Sequence, residues 1–190
     1  METVLNLEEK IEELKQRSWW NEEMETSSYT AWIARTLLKG KEVTRGYRNN
    51  NPCNIRLNKT QWEGRCTEQK DGAFFQFSDL KYGFRAALKT LYTYYYKYGL
   101  YTILGIIERW APAADGNNPK SYAKSVSEWA GCTPKKRIPA PGTARTLWCN
   151  IVVAMAKVEN GTNGDAYDDG FLQFKAKQGW DMVWGEKRYE

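Results

Sequence analysis

Apolar residues at helical spacing fill four successive segments downstream of residue 80, and this pattern restricts the fold more than any other feature. The four stripes are Phe84, Leu88, Leu91 and Tyr95; Ile103, Ile106, Ile107 and Trp110; Tyr122, Val126 and Trp129; and Leu147, Ile151, Ala154, Met155 and Val158. The stop and start signals near them are Gly99, Pro112, Asn118-Pro119 and Asn160-Gly161. We expect four amphipathic helices here and a final helix over residues 171–184.

The helical period disappears between Asn49 and Phe77. Two short stretches, around 61–67 and 73–77, have the character of strands, and the dipeptide Asp71-Gly72 between them is a hairpin signal. We therefore predict a small β-hairpin with its turn at Asp71-Gly72. Helices that enclose a minor sheet place the chain in the α+β class, with mainly α-helical structure.

The first residues of the chain carry a further helical stripe. Val4, Leu7, Ile11 and Leu14 are separated by 3, 4 and 3 residues, with charged residues between them. This heptad-like helix is too short for an independent coiled coil, so it either packs on the domain or docks a partner. Another helix is predicted near 28–39. The expected organisation is an N-terminal helix and linker over 1–26, a main domain over 27–160 and a C-terminal helical extension over 161–190.

Composition removes several functional classes. The chain contains no histidine, which excludes Ser-His-Asp and Cys-His catalysis and any histidine-based metal site. Its four cysteines lack C-x-x-C spacing, and we interpret them as reduced thiols and not as zinc ligands. Among the catalytic mechanisms considered, acid catalysis by carboxylates remains, and we expect no cofactor or metal.

Charge and aromatic content point to the class of partner. The formal net charge is +5 and aromatic residues make up 14% of the chain. Aromatic faces stack on sugar rings and on nucleobases, and mild basicity suits anionic polymers. No basic stripe is concentrated on one element, which argues against nucleic acid as the partner. No apolar run reaches the length of a membrane span, and acids near Met1 replace the basic residues of a classical signal peptide.

The segment 44–56, with the sequence TRGYRNNNPCNIR, resembles the signature R-G-x-R-N-N-N-P-x-N-I-R of a family of small phage and prophage proteins, often labelled virion structural proteins. Four more motifs follow in the family's order: W-x-G at 62–64, D-x-x-F-x-x-F at 71–77, Y-G-x-R-A at 82–86 and I-I-x-R-W-A-P at 106–112. The resemblance covers residues 44–132. It implies a location in the virion or in the cytoplasm of the host bacterium, and virion proteins as partners of the N-terminal helix.

A more distant resemblance is to the glucosaminidase family of muramidases. In that family a catalytic Glu at a helix end precedes an Asn-rich segment, and a hairpin with W-x-G follows. The segment from Asn51 to Arg56 and the motif Trp62-Glu63-Gly64 have the same order. The resemblance implies a lysozyme-like fold and peptidoglycan as the substrate.

Two carboxylates are the catalytic candidates. Cleavage of a glycan needs an acid that protonates the glycosidic oxygen and a group that stabilises the oxocarbenium-like state. Glu42 follows the predicted helix at 28–39, the place where lysozyme-like proteins carry their acid; the alternative is a solvated side chain beside Lys41. Asp71 at the hairpin tip is the candidate second carboxylate; the alternative is a structural role in the Asp-Gly turn.

Polar and aromatic residues near these acids are the binding candidates. Asn49, Asn50 and Asn51 are placed to bind N-acetyl and hydroxyl groups, or else to satisfy the backbone of an irregular segment. Arg48 belongs to the same candidate surface, where it either binds substrate or pairs with an acid or a helix-end carbonyl. Trp62 and Trp110 are the candidate platforms for sugar stacking, although Trp110, just before Pro112, is expected in the core.

Three functional hypotheses follow. The first is a phage glycosidase or lytic transglycosylase that acts on peptidoglycan, favoured because the motif-bearing segment resembles a cleft-forming hairpin. The second is a non-catalytic virion or wall-binding protein. The third, a nucleic-acid-associated phage protein, depends only on charge and aromatic content.

Overall fold

The computed structural model describes residues 44–161 and 169–185. The N-terminal helix, the helix near 28–39 and Glu42 lie outside the described residues. The division into segments 1–26, 27–160 and 161–190 stays a prediction.

The described part of the chain is mainly helical, as predicted. Its helices are α1 (Arg45–Arg48), α2 (Leu80–Tyr98), α3 (Ile103–Trp110), α4 (Pro119–Ala130), α5 (Arg145–Asn160) and α6 (Asp169–Trp184), with a 3-10 turn at Ala113–Asp115. The end signals act as expected: Gly99 adopts a left-handed φ of 67°, and the Asn118 side chain accepts a hydrogen bond from Ser121 N. The four apolar stripes and the predicted final helix are thereby confirmed. None of these helices has the length and the apolar character to cross a membrane.

Helix α5 lies at the centre of the packing. It packs against α4 and α6 and also contacts α1 and α2. Trp148, Ile151, Val152 and Met155 on this helix are completely buried. A helix with so much of its length in the core is held rigidly, because close-packed interiors resist displacement. Residues at its carboxyl end therefore have well-defined positions.

A buried ion pair joins the last helix to α2. Asp79 caps α2 by accepting a hydrogen bond from Lys81 N at 2.7 Å, and its second oxygen accepts one from Lys175 Nζ at 2.7 Å. Each side chain of the pair is only 9% exposed. Loss of either partner would leave a buried charge uncompensated, so the pair fixes the register of α6 on α2.

The predicted hairpin is not confirmed. Residues 73–77 pair antiparallel with two separate stretches, through isolated bridges between Arg56 and Phe74 and between Arg65 and Phe77, and the described residues contain no continuous strand. The physical reason lies in the asparagines. The carbonyl oxygens of Phe75 and Phe77 accept hydrogen bonds from the side chains of Asn51 and Asn50, so side chains occupy positions that a ladder would use.

Substitution of Gly179 tests the contact between α6 and α2. A Cβ at this position would lie 2.7 Å from Lys81 O and 2.8 Å from Arg85 N, which are backbone atoms. Gly→Ala in a helix ordinarily stabilises by about 1 kcal/mol. Here we expect Gly179→Ala to destabilise by about 1–3 kcal/mol, because the two helices must move apart. Thermal unfolding measures this as a melting temperature lowered by several degrees.

The control for this substitution is Gly72→Ala, since nothing lies within 4 Å of a Cβ at Gly72. Its melting temperature should stay close to that of the natural protein. An unchanged or higher melting temperature for Gly179→Ala would contradict the close approach of α6 to α2.

Candidate functional site

A cavity of about 350 Å³ opens between the segment after α1 and helices α2, α3 and α5. Its wall combines aromatic rings, amides and carboxylates. The residues that matter below are Trp62, Tyr94, Trp110, Asn58, Asn117 and Glu159. Aromatic rings with a few convergent polar groups are typical of a ligand site.

Glu159 is the most constrained polar group of the cavity. Its Oε1 accepts hydrogen bonds from Tyr122 OH at 2.9 Å and from Trp110 Nε1 at 3.1 Å. Its Oε2 accepts one from Asn54 Nδ2 at 3.2 Å. A carboxylate oxygen has two lone pairs, so Oε2 keeps one acceptor position. That position is available to a ligand in the cavity.

The surroundings of Glu159 are neutral. All three donors are uncharged, and no salt bridge to Glu159 exists among the described residues. Burial, followed by the charge of Glu159, raises the pKa of the Tyr122 hydroxyl well above its usual range. The same two causes raise the pKa of the buried Cys53 thiol. Tyr122 therefore stays protonated and continues to donate to the carboxylate.

Glu159 lies at a helix end where a negatively charged side chain is disfavoured. It occupies the last turn of α5, where the helix dipole disfavours a negative charge by roughly 0.3–1 kcal/mol. Three hydrogen bonds offset this cost. Sequence reasoning missed Glu159, and the one available signal was an acid placed directly before the helix stop Asn160-Gly161. Residues that break a local rule in this way are expected at functional or strained sites.

The asparagine-rich segment is fastened to this end of α5. Asn54, at a left-handed φ of 50°, also donates from Nδ2 to the Glu159 carbonyl oxygen at 3.3 Å. In the other direction Asn160 Nδ2 donates to Pro52 O at 2.7 Å, and Thr44 Oγ1 donates to Asn160 Oδ1 at 2.6 Å. The asparagine-rich segment thus positions the Glu159 carboxylate, although the two lie more than a hundred residues apart in the sequence.

The asparagines predicted to bind substrate form hydrogen bonds with the protein itself. Asn51 is fully buried, and its side chain accepts from Ile55 N and donates to Ile55 O and Phe75 O, each at 2.9 Å. Asn49 donates to Asp71 Oδ2 at 2.7 Å and accepts from Gln76 Nε2 at 3.2 Å. Asn50 is also buried. These contacts favour the structural alternative, in which the asparagines satisfy the irregular backbone.

Asp71 is surrounded by donors. Arg45 donates to it from Nε at 2.7 Å and from Nη2 at 2.6 Å, and Asn49 adds a third hydrogen bond. The backbone N–H groups of Ala73 and Phe74 donate two more. The Arg45 guanidinium above all holds the pKa of this carboxyl far below its usual range. A carboxylate of this kind stays ionised, which suits charge stabilisation or loop structure and not proton donation.

The structure separates the predicted site residues. Trp62 lines the cavity, and Trp110, which we expected in the core, lines it as well. Asp71, Asn49, Asn50, Asn51 and the half-buried Arg48 do not belong to the cavity wall. The described residues contain no cluster of three or more metal-binding side chains.

Comparison with known proteins shows that the chain is similar to a phage protein. No protein-family model matches the chain. Protein P5 of Pseudoalteromonas phage PM2 is 36% identical over 131 residues, which make up 67% of this chain and 78% of that protein. The shared stretch is longer than the segment 44–132, so the relationship extends beyond the motif-bearing part.

The hydrogen bonds of Asp71 predict a pH-dependent contribution to stability. A carboxyl whose pKa is lowered by folding stabilises the folded state above its unfolded pKa of about 4, and this is lost as the pH falls toward the folded pKa. We expect Asp71→Asn to lower the free energy of unfolding by about 1–2 kcal/mol at pH 7, and by less at pH 3. Urea unfolding at the two pH values measures the difference.

Asp115→Asn is the control, because the Asp115 side chain has no hydrogen bond or ion pair in the described part of the chain. It should change stability little at either pH. A deficit of Asp71→Asn that is equal at pH 7 and pH 3 would contradict the account.

Proposed function

The chain belongs to the family of Protein P5 of Pseudoalteromonas phage PM2, and on this premise we propose that it is a phage protein with a lysozyme-like fold that cleaves the glycan strands of bacterial peptidoglycan. One observation carries the proposal: the carboxylate of Glu159 lies in a cavity lined by aromatic rings and amides, with one acceptor position left on Oε2.

Glu159 is the acid in this proposal. Cleavage of a glycosidic bond begins with protonation of the bridging oxygen as the sugar approaches an oxocarbenium ion. Oε1 is occupied by Tyr122 and Trp110, so Oε2 is the oxygen that delivers the proton in this proposal. The donors hold the carboxyl in one orientation, which brings the proton to a fixed place in the cavity.

The wall supplies groups that suit an N-acetylated sugar. The faces of Trp62, Tyr94 and Trp110 are apolar surfaces for pyranose rings, and the amides of Asn58 and Asn117 are donors and acceptors for acetamido and hydroxyl groups. The oxocarbenium-like state is stabilised either by Asp115, which lines the same cavity, or by the substrate's own acetamido group. Glu42 remains the alternative acid.

A non-catalytic role as a wall-binding virion protein is the second candidate. The observation that favours it is that the three hydrogen bonds of Glu159 also hold α5 to its neighbours: Trp110 on α3, Tyr122 on α4 and Asn54 in the asparagine-rich segment. In that case the aromatic cavity binds glycan and the carboxylate only orients it. The N-terminal segment then joins the protein to other virion components.

Turnover of purified peptidoglycan distinguishes the two functions. We expect the natural protein to release soluble muropeptides and Glu159→Gln to lower the rate by roughly 10²–10⁴-fold, the usual contribution of a general acid. The Gln variant should still pellet with sacculi. Mass analysis of the products separates hydrolysis, with reducing ends, from transglycosylation, with anhydro ends.

Glu108→Gln is the matched control, since Glu108 is an exposed carboxylate on α3 and should keep the natural rate. Glu42→Gln should also keep it if Glu159 is the acid. Absence of release by the natural protein, with pelleting retained, would leave the wall-binding role. Equal rates for Glu159→Gln and the natural protein, with similar melting temperatures, would remove Glu159 as the acid.

A further inference from the structure

We propose that Tyr94, Tyr98 and Arg109 extend the glycan site beyond the cavity and that Arg109 binds a carboxylate carried by the polymer. This inference rests on the proposed function, and it specifies the substrate as an acid-substituted glycan.

The three side chains form a continuous row with the cavity wall. Tyr94 and Trp110 both line the cavity, with ring centroids 6.4 Å apart in an edge-to-face arrangement. Tyr98 continues the row, 6.2 Å from Tyr94 and again edge to face. Tyr94 and Tyr98 are four residues apart on α2, so they lie on one face of the helix. A polymer that leaves the cavity over Tyr94 meets Tyr98 next.

Arg109 is held over this row. Its guanidinium carbon lies 3.6 Å from the centroid of Tyr98 and 5.2 Å from that of Tyr94. Besides these ring contacts, Arg109 forms a hydrogen bond with the Tyr94 side chain. A guanidinium has five N–H donors, so an N–H edge remains for a ligand. That edge matches a carboxylate with two parallel hydrogen bonds.

No acid among the described residues forms a salt bridge with Arg109. Arg45, Arg85 and Arg145 each form a salt bridge with an acid, to Asp71, Glu63 and Asp181 respectively. Arg109 is exposed and forms no such salt bridge within residues 44–161 and 169–185. Tyr98 is 43% exposed, so the row is accessible to a polymer.

The combination favours an acidic glycan over a neutral one. The hydroxyl groups of a neutral sugar accept ordinary hydrogen bonds from many donors and do not require a cation. A guanidinium beside the tyrosine faces adds a charge-assisted hydrogen bond for any strand with carboxylates along it. A phosphate group on a wall polymer has similar chemistry, and the experiment below separates the two sources.

The test measures binding to sacculi in the Glu159→Gln background, in which the strands stay intact. Sacculi are first treated with hydrofluoric acid, which removes phosphodiester-linked polymers. We expect Arg109→Gln to weaken binding to them by roughly three- to tenfold at low salt. Arg109→Lys keeps the charge and should recover part of the loss. The same comparison is repeated on sacculi whose carboxyls are converted to methylamides, where Arg109→Gln should have no effect.

Arg137→Gln is the control, because this substitution changes the net charge by the same amount as Arg109→Gln. Arg137 also lies over a tyrosine ring, 3.9 Å from the centroid of Tyr101, but it does not line the cavity. The control variant should bind treated sacculi as the parent does. Equal losses for both variants, or a loss for Arg109→Gln that persists on amidated sacculi, would overturn the inference. So would a loss confined to sacculi not treated with hydrofluoric acid, which would indicate phosphate. If the parent binds no sacculi at all, the proposed function fails with it.

Discussion

The hydrogen bonds between the asparagine-rich segment and the carboxyl end of α5 are the constraint on which the structure depends. Asn54 binds Glu159, and Asn160 binds the carbonyl oxygen of Pro52, so each partner supplies an asparagine to the other. Gly46 permits this approach, because a Cβ there would lie 2.5 Å from Asn160 Oδ1. The cavity exists because a rigid core helix and an irregular segment meet at this junction and leave the carboxylate between them.

The run of asparagines replaces a sheet at this place. Buried backbone groups without partners cost about 1–3 kcal/mol each, so an irregular buried segment needs side chains that supply hydrogen bonds. Asn51 alone satisfies an N–H and a carbonyl of Ile55 together with a carbonyl of Phe75. Because these asparagines are buried and hydrogen-bonded to the protein, they present few polar groups to a ligand. In the function that we propose, the groups that contact the glycan are therefore the aromatic rings around Glu159 and the amides of Asn58 and Asn117.

The helices were predictable because their signals are local. Apolar stripes and caps such as Asn118 depend only on neighbouring residues, and they gave the helices downstream of residue 80. The absence of a continuous hairpin was not predictable from local signals. The side chains of Asn50 and Asn51, 27 and 24 residues away from Phe77 and Phe75, take the place of a strand partner. Trp62 was predicted as a platform for sugar stacking, which stays a prediction, and it lines the cavity. Glu159 was missed because its partner Asn54 lies 105 residues away, a distance at which periodicity carries no information.

We propose that a glycan strand lies across this cavity with a glycosidic bond at Glu159. A crystal structure of the Glu159→Gln variant with a bound N-acetylglucosamine oligosaccharide tests it most directly. The account predicts pyranose rings against Trp62 and Trp110 and a bridging oxygen about 3 Å from the side chain of residue 159. An oligosaccharide bound elsewhere, with the cavity free of sugar at saturating concentration, would contradict it.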